Sequence, residues 1–181
     1  MSAPVSFFDV VSVRQQTLNT LLCVGLDPDI SKIPQRYHSA ARPVLAFCRD
    51  VIDATHDLAA TFKPQFAHFA AADALCDLKE IIAYSQELGV PVILDAKRGD
   101  VGSTSSFYAH EAFDVYGADA VTVNPYLGGD SLEPFLERAD KGVILLCRTS
   151  NPGGADLQNL KLASGEELYE YVAQLAATEW N

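Results

Sequence analysis

Short apolar runs recur along the chain at residues 21–26, 61–66, 90–94, 120–123 and 143–147, each closing on polar residues, glycine or proline. They are rich in β-branched residues and apolar at successive positions. That is the pattern of strands in a parallel sheet covered on both faces. Between them the apolar period lengthens to that of a helix. Val44, Phe47, Cys48, Val51 and Ile52 share a face within 43–58, and Leu75, Leu78, Ile81 and Ile82 share one within 74–88. Further helical segments are predicted at 104–116, 130–138 and 165–178. Asp73 and Asp130 are read as N-caps, and Gly89 and Gly117 as the residues just past helix ends.

Strands alternating with helices at a spacing of about 30 residues indicate βα units wound in the right-handed sense. The whole chain, 1–181, reads as one α/β domain without linker or low-complexity tract. Two closures are open to such units, a doubly wound sheet or a barrel. A dinucleotide-binding sheet carries G-x-G-x-x-G after its first strand, whereas here that strand ends in Gly25-Leu26-Asp27-Pro28. Polar residues instead stand at the end of every strand: Asp27, Lys63, Asp95 with Lys97, Asn124, then Arg148 to Asn151. Rings of functional groups at strand C-termini are how (β/α)₈ (TIM) barrels build their sites. Such a barrel takes typically ~250 residues, so the 181 here are read as its first five βα units.

The balance of charge narrows the partners. With 24 acidic against 13 basic residues, the net charge of −11 supplies no basic stripe for nucleic acid. No apolar run approaches the roughly 20 residues of a membrane span, and 1–15 lack the pattern of a secretory leader. The four cysteines lie far apart in apolar stretches and are read as buried free thiols of a cytoplasmic protein. Neither they nor the four histidines share the spacing of a metal site, so no metal is expected.

The most specific chemistry lies in Asp95-Ala96-Lys97-Arg98-Gly99-Asp100, directly after an apolar run. Residues i and i+2 of a strand point to one face, so Asp95 and Lys97 project together. Lys63, in Phe62-Lys63-Pro64 at the end of the preceding strand, faces the same mouth. Carboxylates beside an amine favour its charged form, and such a lysine is a proton donor rather than a nucleophile. An ordinary strand-end ion-pair network is the plainer reading. Two lysines and two acids from adjacent strands argue against it, because buried charges are costly unless paired and used.

At this point the chain resembles the orotidine 5′-phosphate decarboxylase family. The resemblance is carried by Leu26-Asp27-Pro28, Phe62-Lys63-Pro64, the ten residues from Asp95 to Thr104, and Val123-Asn124-Pro125-Tyr126, in that order. Cys147-Arg148-Thr149-Ser150-Asn151-Pro152-Gly153-Gly154 points to its longer bacterial-type branch. The resemblance implies a TIM barrel and cofactor-free conversion of orotidine 5′-phosphate to UMP in pyrimidine biosynthesis. It implies Asp95 beside the scissile carboxylate and Lys97 protonating C6. It further implies Lys63 linking the ribose hydroxyls to the charged array, Asp27 accepting a ribose hydroxyl, and Ser150 reading the pyrimidine edge. Asp100 and Thr104 would reach the neighbouring subunit's site in a homodimer. The barrel's phosphate loops, after strands 7 and 8, would fall outside these residues, so the 181 residues alone are expected to show little or no activity. Five strands alone would also leave the first and fifth with unpaired edges.

Other signals are weaker. Asn124 either orients a ligand or starts a turn with Pro125. Gly128-Gly129 and Gly153-Gly154 are read as flexible loops rather than phosphate cradles. Arg98, pointing away by alternation, is expected in a structural ion pair. His110 and Glu111 are read as surface residues, and Tyr108, Tyr116 and Trp180 as helix packing. The competing functions are a magnesium-dependent sugar-phosphate synthase or decarboxylase on the same scaffold, a Schiff-base aldolase using Lys97, and a non-catalytic binding module. Lys63 argues against the first, because an ammonium repels a cation.

Overall fold

A computed structural model describes residues 5–180; the first four residues, the head of the segment read as leaderless, lie outside it. Five parallel strands follow one another in chain order. They are β1 (Cys23–Leu26), β2 (Thr61–Pro64), β3 (Ile93–Arg98), β4 (Ala120–Val123) and β5 (Gly142–Leu145). β1 pairs with β2, β3 with β4, and β4 with β5. The bridges Phe62↔Val92 and Gln65↔Asp95 join the two groups, so neighbours in sequence are neighbours in space throughout. Consecutive parallel strands linked by helical crossovers give the barrel family's order 1-2-3-4-5, not the reversal of a doubly wound sheet.

Helix α1 (Phe7–Leu18) precedes β1, helices α2 (Pro43–Thr55), α3 (Phe66–Ala71), α4 (Leu75–Glu87), α5 (Gly102–His110) and α6 (Gly129–Leu136) fill the connections, and α7 (Leu168–Thr178) follows β5. The strands alternate as the pleat requires. Val92, Leu94, Val121 and Val123 turn outward into a large core with Cys48, Ile52, Leu78, Ile81, Phe113, Leu132 and Phe135 from the helices. Ile93 and Ala120 turn inward and meet Phe7 of α1, with Ile144 beside them. α1 therefore closes the floor, at the N-terminal ends of the strands. At the other end the same inner face carries polar side chains, Asp95 two residues after Ile93 and Thr122 two after Ala120.

Several expectations need correction. α1 and α3 were not anticipated, and β3 runs to Arg98 instead of stopping at residue 94. β1 is covered on one side only, with Leu26 its single buried residue. Asp73 is not an N-cap but adopts left-handed φ (+52°) between α3 and α4, and Asp130 lies in the first turn of α6, which Gly128 caps. Gly89 and Gly117 do follow helix ends at φ +75° and +71°, where a side chain would be strained. Cys23 and Cys76 are exposed; only Cys48 is buried. Gly129 and Gly154 serve close packing rather than flexibility. A β-carbon would meet the Trp180 indole at 2.8 Å from Gly129, and Gln158 and Thr149 at 2.9 Å from Gly154.

Among the described residues no helix is long and apolar enough to cross a membrane.

Candidate active site

Asp95 is the centre of the polar end. It lies on the inner face of β3, 6% exposed, between neighbours on both sides. Lys63 Nζ, from β2, donates to its Oδ2 at 2.8 Å, and Lys97 Nζ donates to its Oδ1 at 2.6 Å. The Thr122 hydroxyl, from β4, donates to Oδ1 at 2.9 Å. Burial works to raise the Asp95 carboxyl, but the hydrogen bonds from Lys63, Lys97 and Thr122 outweigh it and hold the acid below its ordinary value of 3.8. For Lys63, burial works to lower the amine; the hydrogen bond and charge of Asp95, with the more distant charge of Asp27, outweigh it and raise it above 10.5. A carboxylate is thus held ionised in a largely buried position with an ammonium at each oxygen.

The two lysines differ from Asp95 in access. Their side chains keep a third (Lys63) to nearly half (Lys97) of their surface open. They can meet a ligand while Asp95 is screened behind them. Lys97 is not a regular strand residue. Ile93 and Leu94 pair with Ala120 and Val121, but Arg98 pairs with Val123, so Asp95, Ala96 and Lys97 together oppose Thr122 alone. Within this bulge Lys97 takes φ +49°, a left-handed conformation unfavourable for a residue with a side chain. The bulge, and not the i, i+2 spacing of a regular strand, brings the amine back to Asp95.

The remaining sequence candidates are dispersed. Asp100 accepts only from the N–H of Val101, at 2.8 Å, and makes no hydrogen bond with the lysines among the described residues. Thr104 is exposed on the first turn of α5, and Asp27 is exposed just past β1. Asn124 acts as a turn residue, its Oδ1 accepting from the N–H of Tyr126 at 3.0 Å. Ser150 lines a hollow of about 520 Å³ with Arg148, Thr149, Asn151, Gly154 and Gln158, in the loop after β5. Lys63, Asp95 and Lys97 do not line that hollow. Arg98 forms the expected structural pair, Nη2 2.8 Å from Glu111, with its guanidinium over the rings of Phe66 and Tyr108. Glu111 is therefore no idle surface residue. Thr122 escaped the sequence reading; its signal was a lone hydroxyl in the otherwise apolar run Ala-Val-Thr-Val.

Residues 20–181 match the model of the "Orotidine 5'-phosphate decarboxylase / HUMPS family". The chain belongs to that family. Among curated relatives it is 55% identical over 177 residues to the orotidine 5′-phosphate decarboxylase of Aromatoleum aromaticum, covering 97% of this chain and 65% of that protein. It is also 55% identical over 179 residues to the one from Dechloromonas aromatica, covering 98% and 66%. Among solved structures it resembles Leishmania donovani OMP decarboxylase, with a TM-score of 0.85 and 41% identity over 98% of this chain and 67% of that one. The likeness to Leishmania donovani UMP synthase has a TM-score of 0.86, also at 41% identity, over 98% of this chain and 38% of that one. The chain thus spans about two thirds of the length of the curated relatives it matches. At those TM-scores the chain shares the α/β fold of the two solved structures over nearly all its length.

Proposed function

We propose that this protein takes part in the decarboxylation of orotidine 5′-phosphate to UMP, in pyrimidine biosynthesis, without a cofactor. The observation that carries the reading is Asp95, ionised and buried, held between the ammonium groups of Lys63 and Lys97. In the reaction the C6–carboxylate bond breaks, the electron pair stays on C6, and carbon dioxide leaves. A proton passes from Lys97 Nζ to C6, and solvent later restores the ammonium. No carbonyl is placed to delocalise the C6 electron pair, so a preorganised positive group where the charge develops supplies the stabilisation. Asp95 holds that group and repels the substrate carboxylate until it departs. Two unit charges 4 Å apart interact by about 4 kcal/mol at an effective dielectric of 20. That is too little for the ~8–23 kcal/mol typical of enzymes, so binding energy from the ribose and phosphate must contribute. Lys63 and Asp27 would meet the ribose hydroxyls, Ser150 the pyrimidine edge, and Asn124 would orient the strand end.

A homodimer with shared sites is part of the proposal. Asp100 just before α5 and Thr104 in its first turn make no hydrogen bond to the lysines among the described residues, and exposed Val101 and Phe107 lie close to them in sequence. A second copy of the chain would bring Asp100 to the other site. Free cysteines agree with a cytoplasmic location. The magnesium-dependent alternative is disfavoured because any cation at Asp95 would meet two ammonium groups.

The test is release of carbon dioxide from orotidine 5′-phosphate in excess chelator, by these residues carried in a barrel completed to eight βα units. Turnover unaffected by the chelator and abolished in Lys97→Ala supports the reading. Turnover only with added magnesium, or only on a sugar phosphate, would sink it.

A further inference from the structure

The bulge at 95–97 poses a hydrogen-bonding problem that a parallel ladder cannot solve. Three residues of β3 stand opposite one residue of β4, so the N–H groups of Ala96 and Lys97 find no strand carbonyl in register. Both N–H groups donate instead to the same atom, Thr122 Oγ1, at 3.1 and 3.0 Å. The hydroxyl's own proton goes to Asp95 Oδ1 at 2.9 Å. One donor and two acceptor positions are all that a hydroxyl has, and here each is used on the three residues of one bulge. Thr122 is 7% exposed. Its position is fixed in turn by β4, all four residues of which are buried.

We propose that Thr122 is a positioning residue for this site: its hydroxyl sets the bulge that turns Lys97 onto Asp95. The inference rests on the decarboxylase reading and adds to it a residue that touches neither the scissile bond nor C6. Two consequences separate this role from mere support of the fold. First, the hydroxyl fixes where the Lys97 amine stands, so its loss moves the proton donor relative to C6. A misplacement of that kind can cost roughly 10²-fold in rate. Second, it is one of three donors to Asp95, the others being Lys63 from β2 and Lys97 from β3, with Asp27 acting on Lys63 from β1. Removing one donor weakens the hold on the ionised acid.

The comparison is between Thr122→Val, which keeps the volume and loses the hydroxyl, and Thr122→Ser, which keeps the hydroxyl. In the barrel completed to eight βα units, Thr122→Val is expected to lower kcat roughly 10²-fold while KM changes by less than about threefold, since the change falls on the transition state. The acid limb of kcat/KM moves to higher pH. Thr122→Ser restores kcat and the acid limb to within about threefold and to the wild-type position. Carbon-13 titration of the Asp95 carboxyl in the unliganded protein gives a readout independent of turnover: the midpoint rises in Thr122→Val and not in Thr122→Ser. Should Thr122→Val fail to fold, Thr122→Ala is measured against the same expectations. The proposal is overturned if the valine variant keeps both its rate and its Asp95 midpoint, or if serine behaves as valine does. If a wild-type barrel completed to eight βα units released no carbon dioxide, the decarboxylase reading alone would end, and the carboxyl titration would still decide the role of Thr122.

Discussion

Asp95 and Asp100 lie five residues apart on one segment, yet the fold treats them as opposites. Asp95 is buried on β3 with three donors of its own chain. Asp100 stands beyond the strand with a single hydrogen bond, from the next residue. Between them lies Gly99, packed against the backbone of Asn124. The contrast teaches that the chain finishes one half of the motif, Asp95 with both lysines, and leaves the other half, Asp100, with only its neighbour's N–H among the described residues. Membership of one sequence motif therefore does not mean membership of one site.

The strongest test of the finished half is Lys97→Ala, which removes the proton donor and should reduce kcat by about 10³-fold or more, read as carbon dioxide release. Asp100→Asn tests the unfinished half. It should lower activity roughly 10²-fold yet leave the melting temperature within about 2 °C, because the one hydrogen bond of that carboxylate, from the Val101 N–H, passes to the amide oxygen. Mixing the Lys97→Ala and Asp100→Asn proteins should then recover roughly a quarter of wild-type activity: about half the dimers are mixed, and one of two sites in each is intact. No recovery in a sample shown to exchange subunits would refute shared sites.

Stability separates the two acids further. The carboxyl of Asp95 is held below its ordinary 3.8, so its contribution is present above that pH and lost as the pH falls through the folded value. Raised Lys63 shows the reverse sense, contributing below 10.5 and fading as the pH rises through its higher folded value. Asp95→Asn should cost about 2–3 kcal/mol near neutrality, after allowance for the lysines' exposure. Wild-type and variant melting temperatures should draw together only as the pH falls below 3.8 and through the lower folded value. A gap that stays constant with pH would mean Asp95 is held by packing and not by charge. The smallest effect is expected at the junction. A β-carbon on Gly99 would stand 2.8 Å from the Asn124 carbonyl oxygen, so Gly99→Ala should cost about 1–2 kcal/mol in denaturant melts by forcing the strands apart.

The architecture was legible where periodicity was clean. The stripes at Val44–Ile52 and Leu75–Ile82 became α2 and α4, and Ala-Val-Thr-Val became β4 with no change of bounds. α1 was not legible, because its apolar residues do not form one stripe: Phe7 is buried while Phe8 and Val13 are exposed. α3 hid in the tail of an apolar run, its six residues too few to display a helical period. The lysines and Asp95 could be placed from alternation and motif, but the bulge could not. A left-handed lysine leaves no trace in composition, and the residue that accommodates it, Thr122, lies 25 positions downstream of Lys97. Hydrogen-bonding debts of the backbone are settled across strands, where reading along the chain does not reach.

The floor of the molecule has a consequence of its own. The Arg14 guanidinium of α1 donates to the carbonyls of His56, Ala59 and Gly89, at 2.8, 2.9 and 2.9 Å. Those oxygens belong to the turns after α2 and α4, two units well separated in sequence. A single side chain therefore makes the melting of one unit felt by the other. One cation thus ties the two turns together from beneath, at the end of the strands opposite Asp95.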